Sequence, residues 1–384
     1  MTDWQTVKLG DVAYEVSERV DNPSTSGYDR FVGLEHFVSG DFTITSWGTT
    51  ENLISAMKLF KAGDTLFARR NAYLKRASMA DFDGICSGDA IVLRNNEKMI
   101  DGFLPLILNT DHFWNYAIAN AAGSMSKRVR VEDLMKYEFP LPPVDEQRRI
   151  ADLLWAADDL IIRDEELITS LIVYKKSLFE NLVEKELANG AKLVKFGELM
   201  LRSPDSGHSP ISVDRETGHY VLILSAVSVN GYKRGHLKPI ELTPEVKATK
   251  LQKGDFLISR SNTVELVGLV GIYNEDRNDI SFPDTMMRLI LDDSKIDRYF
   301  LEQYLLSRKA RRKIQGFAAG TSGSMKKINR SHISALEIPL LPLEKQHSIM
   351  KIIRKCAEGI SAAEDRRSKS YELKKQLMNK MLSG

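Results

Sequence analysis

Two stretches of this sequence carry residue types that could do covalent chemistry, and neither has the spacing for it. Gly320-Thr321-Ser322-Gly323-Ser324-Met325-Lys326 has the glycines and the lysine of a phosphate-cradling loop, but its second glycine is not next to the lysine. Pro283-Asp284 followed by Asp293-Ser294-Lys295 imitates the carboxylate pair with which a nuclease holds Mg2+. The place of Asp293 in the other half of the chain is taken by Lys98, so the pair reads as chance. The seven histidines show no zinc-ligand spacing, and no glycine-rich dinucleotide fingerprint follows an expected strand. No catalytic or metal-binding constellation emerges.

Non-covalent recognition is better represented. Arg69-Arg70-Asn71-Ala72-Tyr73-Leu74-Lys75-Arg76 mixes guanidinium, amide and phenol groups in an expected loop, groups suited to guanine edges, adenine edges and phosphates. Arg260-Ser261-Asn262-Thr263 is its counterpart in the second half. A competing reading pairs Arg69 with Asp64 and Arg260 with Asp255 to fix a turn, which leaves the unrepeated Arg70, Tyr73, Lys75 and Arg76 as the better sequence readers. Ser124-Met125-Ser126-Lys127-Arg128-Val129-Arg130 and Ser324-Met325-Lys326-Lys327-Ile328-Asn329-Arg330 are basic loops led by glycine. They could bind phosphates, or be solvated loops with no ligand.

The elements that must position these groups are written twice. Lys8-Leu9-Gly10-Asp11 is echoed by Lys195-Phe196-Gly197-Glu198, and Gly63-Asp64-Thr65-Leu66-Phe67-Ala68-Arg69-Arg70-Asn71 by Gly254-Asp255-Phe256-Leu257-Ile258-Ser259-Arg260-Ser261-Asn262. Gly123-Ser124-Met125-Ser126-Lys127 matches Gly323-Ser324-Met325-Lys326-Lys327. Glu138-Phe139-Pro140-Leu141 and Gln147 recur as Glu337-Ile338-Pro339-Leu340 and Gln346, each followed by a long helical pattern. Within the repeats, strands are expected over 40–45, 64–68, 90–93, 220–229 and 286–291, and helices over 113–122 and 298–317.

The first long helix is expected from about Asp145, after prolines that bar an earlier start, to a left-handed stop at Asn189-Gly190. Ile150, Ala157, Leu171 and Leu178 form one seven-residue series, interrupted at Asp164, and Leu153, Leu160, Leu167 and Tyr174 a second. The second helix, from about Glu344 to Leu382, carries Ile349, Cys356, Ala363 and Leu377 on a weaker seam broken by polar residues such as Arg367 and Ser370. Gln147 and Gln346 either orient a globular unit on its helix, contact a partner, or simply cap. Trp155 and Tyr174 are candidate partner contacts unless they pack inside.

Composition sets the remaining bounds. The chain has 384 residues, 43% hydrophobic and 28% charged, with a net charge of +2, so any contact with nucleic acid depends on local clusters of Lys and Arg. Its two cysteines, Cys86 and Cys356, lack a metal or redox spacing and fit a reducing compartment. Met1-Thr2-Asp3-Trp4 leads into polar sequence without a signal-peptide pattern, and no apolar run is long enough for a bilayer, so a cytoplasmic location is expected.

Taken in order, unit, long helix, unit, long helix, the chain resembles the specificity subunit of a type I restriction-modification enzyme over essentially its whole length. The residues that carry this are the paired Gly-Asp-x-Leu-x-x-Arg segments at Gly63 and Gly254, the Gly-Ser-Met-x-Lys segments at Gly123 and Gly323, and the two Pro-Leu starts that lead to Gln147 and Gln346. The expected fold class is α+β: two globular α/β target-recognition domains separated by two long antiparallel coiled-coil helices, with a pseudo-twofold internal repeat. Domains are expected at 1–143 and 191–342, and spacer helices at 144–190 and 343–384.

The resemblance implies a non-catalytic subunit that selects a split sequence in double-stranded DNA, one domain per half-site, with the helices as the ruler. It implies DNA adenine methyltransferase subunits and motor/endonuclease subunits as partners, which would hold S-adenosylmethionine, ATP and Mg2+; no cofactor of its own and no membrane are expected. The candidate DNA-binding residues are Arg69, Arg70, Asn71, Tyr73, Lys75, Arg76, Lys127, Arg128, Arg130, Arg260, Asn262, Lys326, Lys327, Asn329 and Arg330. Gln147, Trp155 and Gln346 are the candidate partner contacts. A protein-binding scaffold with two peptide-binding domains is the alternative, and it requires no salt-dependent affinity for DNA.

Overall fold

A computed structural model describes residues 4–123, 126–318 and 325–382. The chain packs as two compact units, residues 1–167 with 363–384, and residues 168–362. Each unit therefore contains one globular domain and a part of both long helices.

In the first unit, strand Gln5–Lys8 pairs antiparallel with Glu138–Leu141, the strand that leads into the first long helix. Beside it lies a four-stranded antiparallel sheet in the order Ala13–Glu15, Ala90–Asn95, Thr65–Ala68, Ala77–Met79. All of Thr65–Ala68 is buried because the sheet is covered on both faces. Phe67, Ile91 and Leu93 enter a core with Phe113 and Trp114 of helix Asp111–Ala119, while Leu66, Ala90 and Val92 enter another with Val32, Phe60 and Cys86. The latter residues belong to a five-stranded sheet ordered Arg19–Val20, Met57–Phe60, Gly84–Cys86, Arg30–Val32, Gly48–Thr49.

The second unit repeats this plan. Lys192–Lys195 pairs with Glu337–Leu340, and a four-stranded sheet runs Met200–Ser206, Met286–Leu291, Phe256–Ser259, Val270–Ile272. Phe256 and Ile258 again face one core and Leu257 the other. The fold is thus α+β, with two α/β domains, an internal repeat and two long helices that run antiparallel within each unit.

Three expected elements differ. The 298–317 helix is two helices, Arg298–Leu305 and Arg308–Phe317, because the Ser307 hydroxyl accepts from the Ala310 N–H at 3.4 Å and starts a new one. The 220–229 strand ends at Leu222 and gives way to a 3-10 turn, Leu224–Ala226. The 40–45 segment is no strand: only Thr43 bridges to Met79, and the carbonyls of Ser39, Gly40 and Asp41 accept from the side chains of Tyr371, Lys374 and Ser78.

The long helices span Val144–Ala188 and Leu343–Met381, and Gly190 takes the left-handed conformation (φ +96°) after the first. In the first seven-residue series Ile150 is buried while Ala157, Leu171 and Leu178 are half-buried, and the second series faces out. Leu153, Leu160, Leu167 and Tyr174 are exposed, and Leu154, Ile161 and Ile168 are buried instead. The buried positions thus run through 150, 154, 158, 161, 164 and 168, in steps of four or three residues. Packing against the globular domain selects this phase, since Ile150, Ala151 and Leu154 share its core with Met378 and Leu382 of the second helix.

The interruption at Asp164 is one of the places where the helices are joined by charge. Its buried carboxylate accepts from the Arg366 Nε at 2.9 and 3.0 Å, and Glu165 pairs with Arg367 at 3.5 Å. Among the described residues, no helix is long and apolar enough to cross a membrane.

Candidate nucleic-acid interface

The repeated Gly-Asp segment builds the base of the site. Asp64 accepts from the Lys61 N–H (2.8 Å) and closes a turn whose Gly63 has φ +93°. Its buried carboxylate then takes a two-point bond from Arg94 at 2.7 and 2.8 Å, which raises the Arg94 pKa above its ordinary value. Asp255 likewise accepts from the Gln252 N–H (2.9 Å) and from Arg288 (3.0 Å), and Arg288 also bonds Asp205 at 3.1 Å. The pairing of Arg69 with Asp64 and of Arg260 with Asp255 is therefore not formed. An arginine from the neighbouring strand occupies each carboxylate.

With that role taken, Arg69 and Arg260 lie where two loops meet. In the first unit Val129 N–H donates to Arg69 O (2.9 Å) and Asn71 N–H to Lys127 O (3.1 Å). In the second, Ile328 N–H donates to Arg260 O (3.0 Å), and Ser261 and Asn262 pair with Lys327 and Lys326. Both units thus fold the segment after Gly-Asp against the basic segment before the last short helix. The backbone sets Lys127 equivalent to Lys326, one residue off the match read from the sequence.

The first unit gathers its cations into one rim. Arg70 Nε bonds Ser126 Oγ at 2.7 Å, and Arg128 Nε bonds Asp89 at 3.0 Å, with Arg70 3.6 Å from the same carboxylate. Lys75 reaches Asp111 at 3.0 Å, while Lys127 and Arg130 are exposed. Arg76 donates to Leu34 O at 2.7 Å, and burial lowers its pKa, so it serves the framework of the loop. The Arg69 Nε is buried and has no hydrogen-bond partner among the described residues. Tyr73 is 65% exposed at the tip, and its neighbour Leu74, which the sequence did not single out, is 40% exposed.

The second unit offers less. Asn262 is buried with its amide oxygen on the Thr263 N–H (2.9 Å), and Asn329 caps the helix Arg330–Ala335 by accepting from the His332 N–H (2.8 Å). These amides are spent within the fold. Arg330 bonds Ser206 Oγ at 3.0 Å, Lys326 is half-buried, and Lys327 is exposed. Ser124, Met125 and residues 319–324, including most of the glycine-lysine loop, lie outside the described residues.

The candidate partner residues Gln147 and Gln346 are enclosed, each within its own unit. Gln147 donates to Lys98 O (3.3 Å) and Pro142 O (2.9 Å) and accepts from Ile100 N–H (3.0 Å). Gln346 donates to Lys295 O (2.9 Å) and Leu341 O (2.8 Å) and accepts from Asp297 N–H (2.8 Å). Each fastens its globular domain to a long helix. Trp155 does similar work, donating to Gly102 O at 2.9 Å and packing edge-on against Phe42. Exposed apolar groups on the first helix are instead Val144, Leu153, Leu160, Leu167 and Val173, together with Tyr174.

Of the carboxylates that imitate a nuclease pair, Asp293 is held by Arg298 at 2.8 and 2.7 Å and Asp284 accepts from the Ser209 hydroxyl. Among the described residues, no group of three or more His, Cys, Asp or Glu side chains could hold a metal ion.

The first unit's rim is a surface of exposed cations around Tyr73, and comparison with known proteins gives the family. A family model described as the type I restriction modification DNA specificity domain matches residues 1–171 and again 194–369. The specificity subunit of the type I restriction enzyme EcoKI from Escherichia coli K12 is 23% identical, over 78% of this chain and 66% of its own length. The putative MjaX specificity subunit of Methanocaldococcus jannaschii is also 23% identical, over all of this chain and 93% of its own. Among solved structures, one concerned with complex assembly and conformational transition of the type I R-M system has a chain with TM-score 0.56 and 23% identity, covering 99% of this chain and 98% of that one. The S subunit of a type I restriction-modification system from M. genitalium gives 0.51 at 14% identity, covering 100% and 97%. At these identities the structural likeness speaks to the fold.

Proposed function

The chain belongs to the type I restriction-modification DNA specificity family, matched on both of its halves, and from that premise we propose that it reads a split target in double-stranded DNA. Each globular domain takes one half-site and the long helices set the gap. The observation that carries this reading is the duplicated rim: the same Gly-Asp turn and the same backbone bonds from Val129 to Arg69 and from Ile328 to Arg260 hold side chains that differ between the units. A shared frame with divergent tips fits two readers of different sequence on one duplex.

The subunit does no chemistry in this account. It docks adenine methyltransferase subunits, for which the exposed Leu153, Leu160 and Leu167 on the first helix offer an apolar face, and motor/endonuclease subunits join the same assembly. S-adenosylmethionine, ATP and Mg2+ belong to those partners, and the work is done in the cytoplasm, where the DNA lies.

The test mixes the full chain and its methyltransferase subunits with a library of random duplexes and sequences the methylated products. One motif in two parts separated by a fixed gap is expected, with affinity that falls steeply with salt. Methylation without sequence preference ends the proposal.

A further inference from the structure

Among the described residues, the only non-glycine positions with left-handed backbone are Asn71 (φ 56°) and Lys75 (φ 49°), and they bracket a single 3-10 turn, Ala72–Leu74. Such a conformation is unfavourable for a residue with a Cβ and persists where the surroundings hold it. Here they do. Leu74 N–H donates to Asn71 O (2.9 Å) and Lys75 N–H to Ala72 O (2.9 Å), while Asn71 is tied to Lys127 and Lys75 to Asp111. At the base, Ala68 N–H donates to Arg76 O (3.0 Å) and the Arg76 guanidinium is bonded to Leu34 O.

What this fixed turn displays is apolar. Tyr73 and Leu74 stand out into solvent, 65% and 40% exposed, in the middle of the Arg70, Lys75, Lys127 and Arg128 rim. Cations around the turn outnumber the Asp89 and Asp111 carboxylates, so the surface that covers it is polyanionic, and an apolar pair at its centre needs an apolar slot in that polyanion. The gap between stacked base pairs is such a slot: aromatic or aliphatic wedges enter it by unstacking a step, and a wedge already held in place adds little ordering cost of its own. The second unit's turn, Thr263-Val264-Glu265-Leu266, also exposes two aliphatic groups, Val264 (38%) and Leu266 (39%), but it has no ring and places an acidic residue between them.

We infer that Tyr73 and Leu74 form a wedge, led by the Tyr73 ring, with which the first unit unstacks one base step of its half-site; the turn of the second unit has no such ring. This rests on the DNA reading above and deepens it.

The test uses the full chain with its methyltransferase subunits on duplexes carrying the selected motif, with 2-aminopurine replacing one purine at a time. The adenine to be methylated is left unmodified, so that its own extrusion gives no signal. A several-fold rise in fluorescence is expected at one step of the half-site read by the first unit. Tyr73→Ala combined with Leu74→Ala abolishes the rise and weakens binding about tenfold, whereas Tyr73→Phe, which keeps the ring, retains both. Both side chains are exposed, so thermal melting of the variants should match the parent. A rise that survives the double substitution, or is lost in Tyr73→Phe, overturns the wedge, as does salt-dependent selective binding with no responsive step. Loss of selective binding by the unmodified protein overturns the DNA reading itself.

Discussion

The ammonium of Lys374, near the end of the second long helix, is bonded to the carboxylate of Asp158 in the first, and both are buried. The same ammonium donates to Gly40 O at 2.8 Å and sits 3.5 Å from the centre of the Phe42 ring. One side chain thus ties both helices to a loop of the first globular domain. Burial pushes the Asp158 carboxyl up and the Lys374 ammonium down, each against the pull of the other.

Lys374→Met should therefore leave a buried carboxylate without its partner and destabilise the first unit by about 3–5 kcal/mol. Adding Asp158→Leu should recover most of that loss, since an apolar pair needs no compensation. Urea unfolding of the two variants beside the parent gives the comparison, and a single substitution without effect would show the pair to be dispensable.

Asp41, next to this cluster, gives a pH dependence. Burial pushes its carboxyl up to about 6, with Lys374 pulling down and Asp158 and Glu165 pushing further up. An acid whose pKa is raised on folding stabilises the fold below its ordinary value of 3.8, and that contribution is lost as pH rises through about 6. Relative to the parent, Asp41→Asn should gain stability between pH 4.5 and pH 7.5, measured as the difference in unfolding midpoint. A constant difference would mean that Asp41 does not titrate in this range.

The phase of the helix seam is open to a direct comparison of adjacent residues. Ile161→Ala should cost about 2–4 kcal/mol, because Ile161 is buried, whereas Leu160→Ala should stay within about 0.5 kcal/mol. Leu160→Glu should keep the fold but reduce association with the methyltransferase, read by analytical ultracentrifugation. Equal losses for the two alanine variants would contradict the observed phase.

That phase marks where the sequence stopped being informative. The repeat, the helix limits near Val144 and Gly190, and the strand Thr65–Ala68 were legible, because turn chemistry and apolar runs are local signals. Leu153 and Leu154 are both leucine, and only the core formed by Phe103, Leu106 and Met378 decides which one turns inward. Likewise Asp64 was visible as a turn residue, but its partner Arg94 lies thirty positions on in the adjacent strand. Local spacing pointed to Arg69 instead. Gln147 and Gln346 were legible as a repeated pair, and their function became plain only when the carbonyls of Lys98 and Lys295 were seen to meet them. The tips that would read bases depend on side-chain direction, which no spacing encodes.

Phosphate and base contacts should separate by their salt behaviour. Lys127→Ala is expected to weaken binding of all sequences alike and to reduce the salt slope by about one. Filter binding over a range of salt checks this, and a change of preferred motif with an unaltered slope would assign Lys127 to base reading.

The helices as ruler are tested most directly by lengthening them. Four residues inserted after Thr169 in the first helix, and four at the antiparallel position near Ala362 in the second, add about one turn, roughly 6 Å. At ~3.4 Å per base pair, the motif methylated by the complex should keep both half-sites and gain one or two base pairs between them. The same half-sites at an unchanged gap would contradict the claim that the paired helices set the distance between two readers.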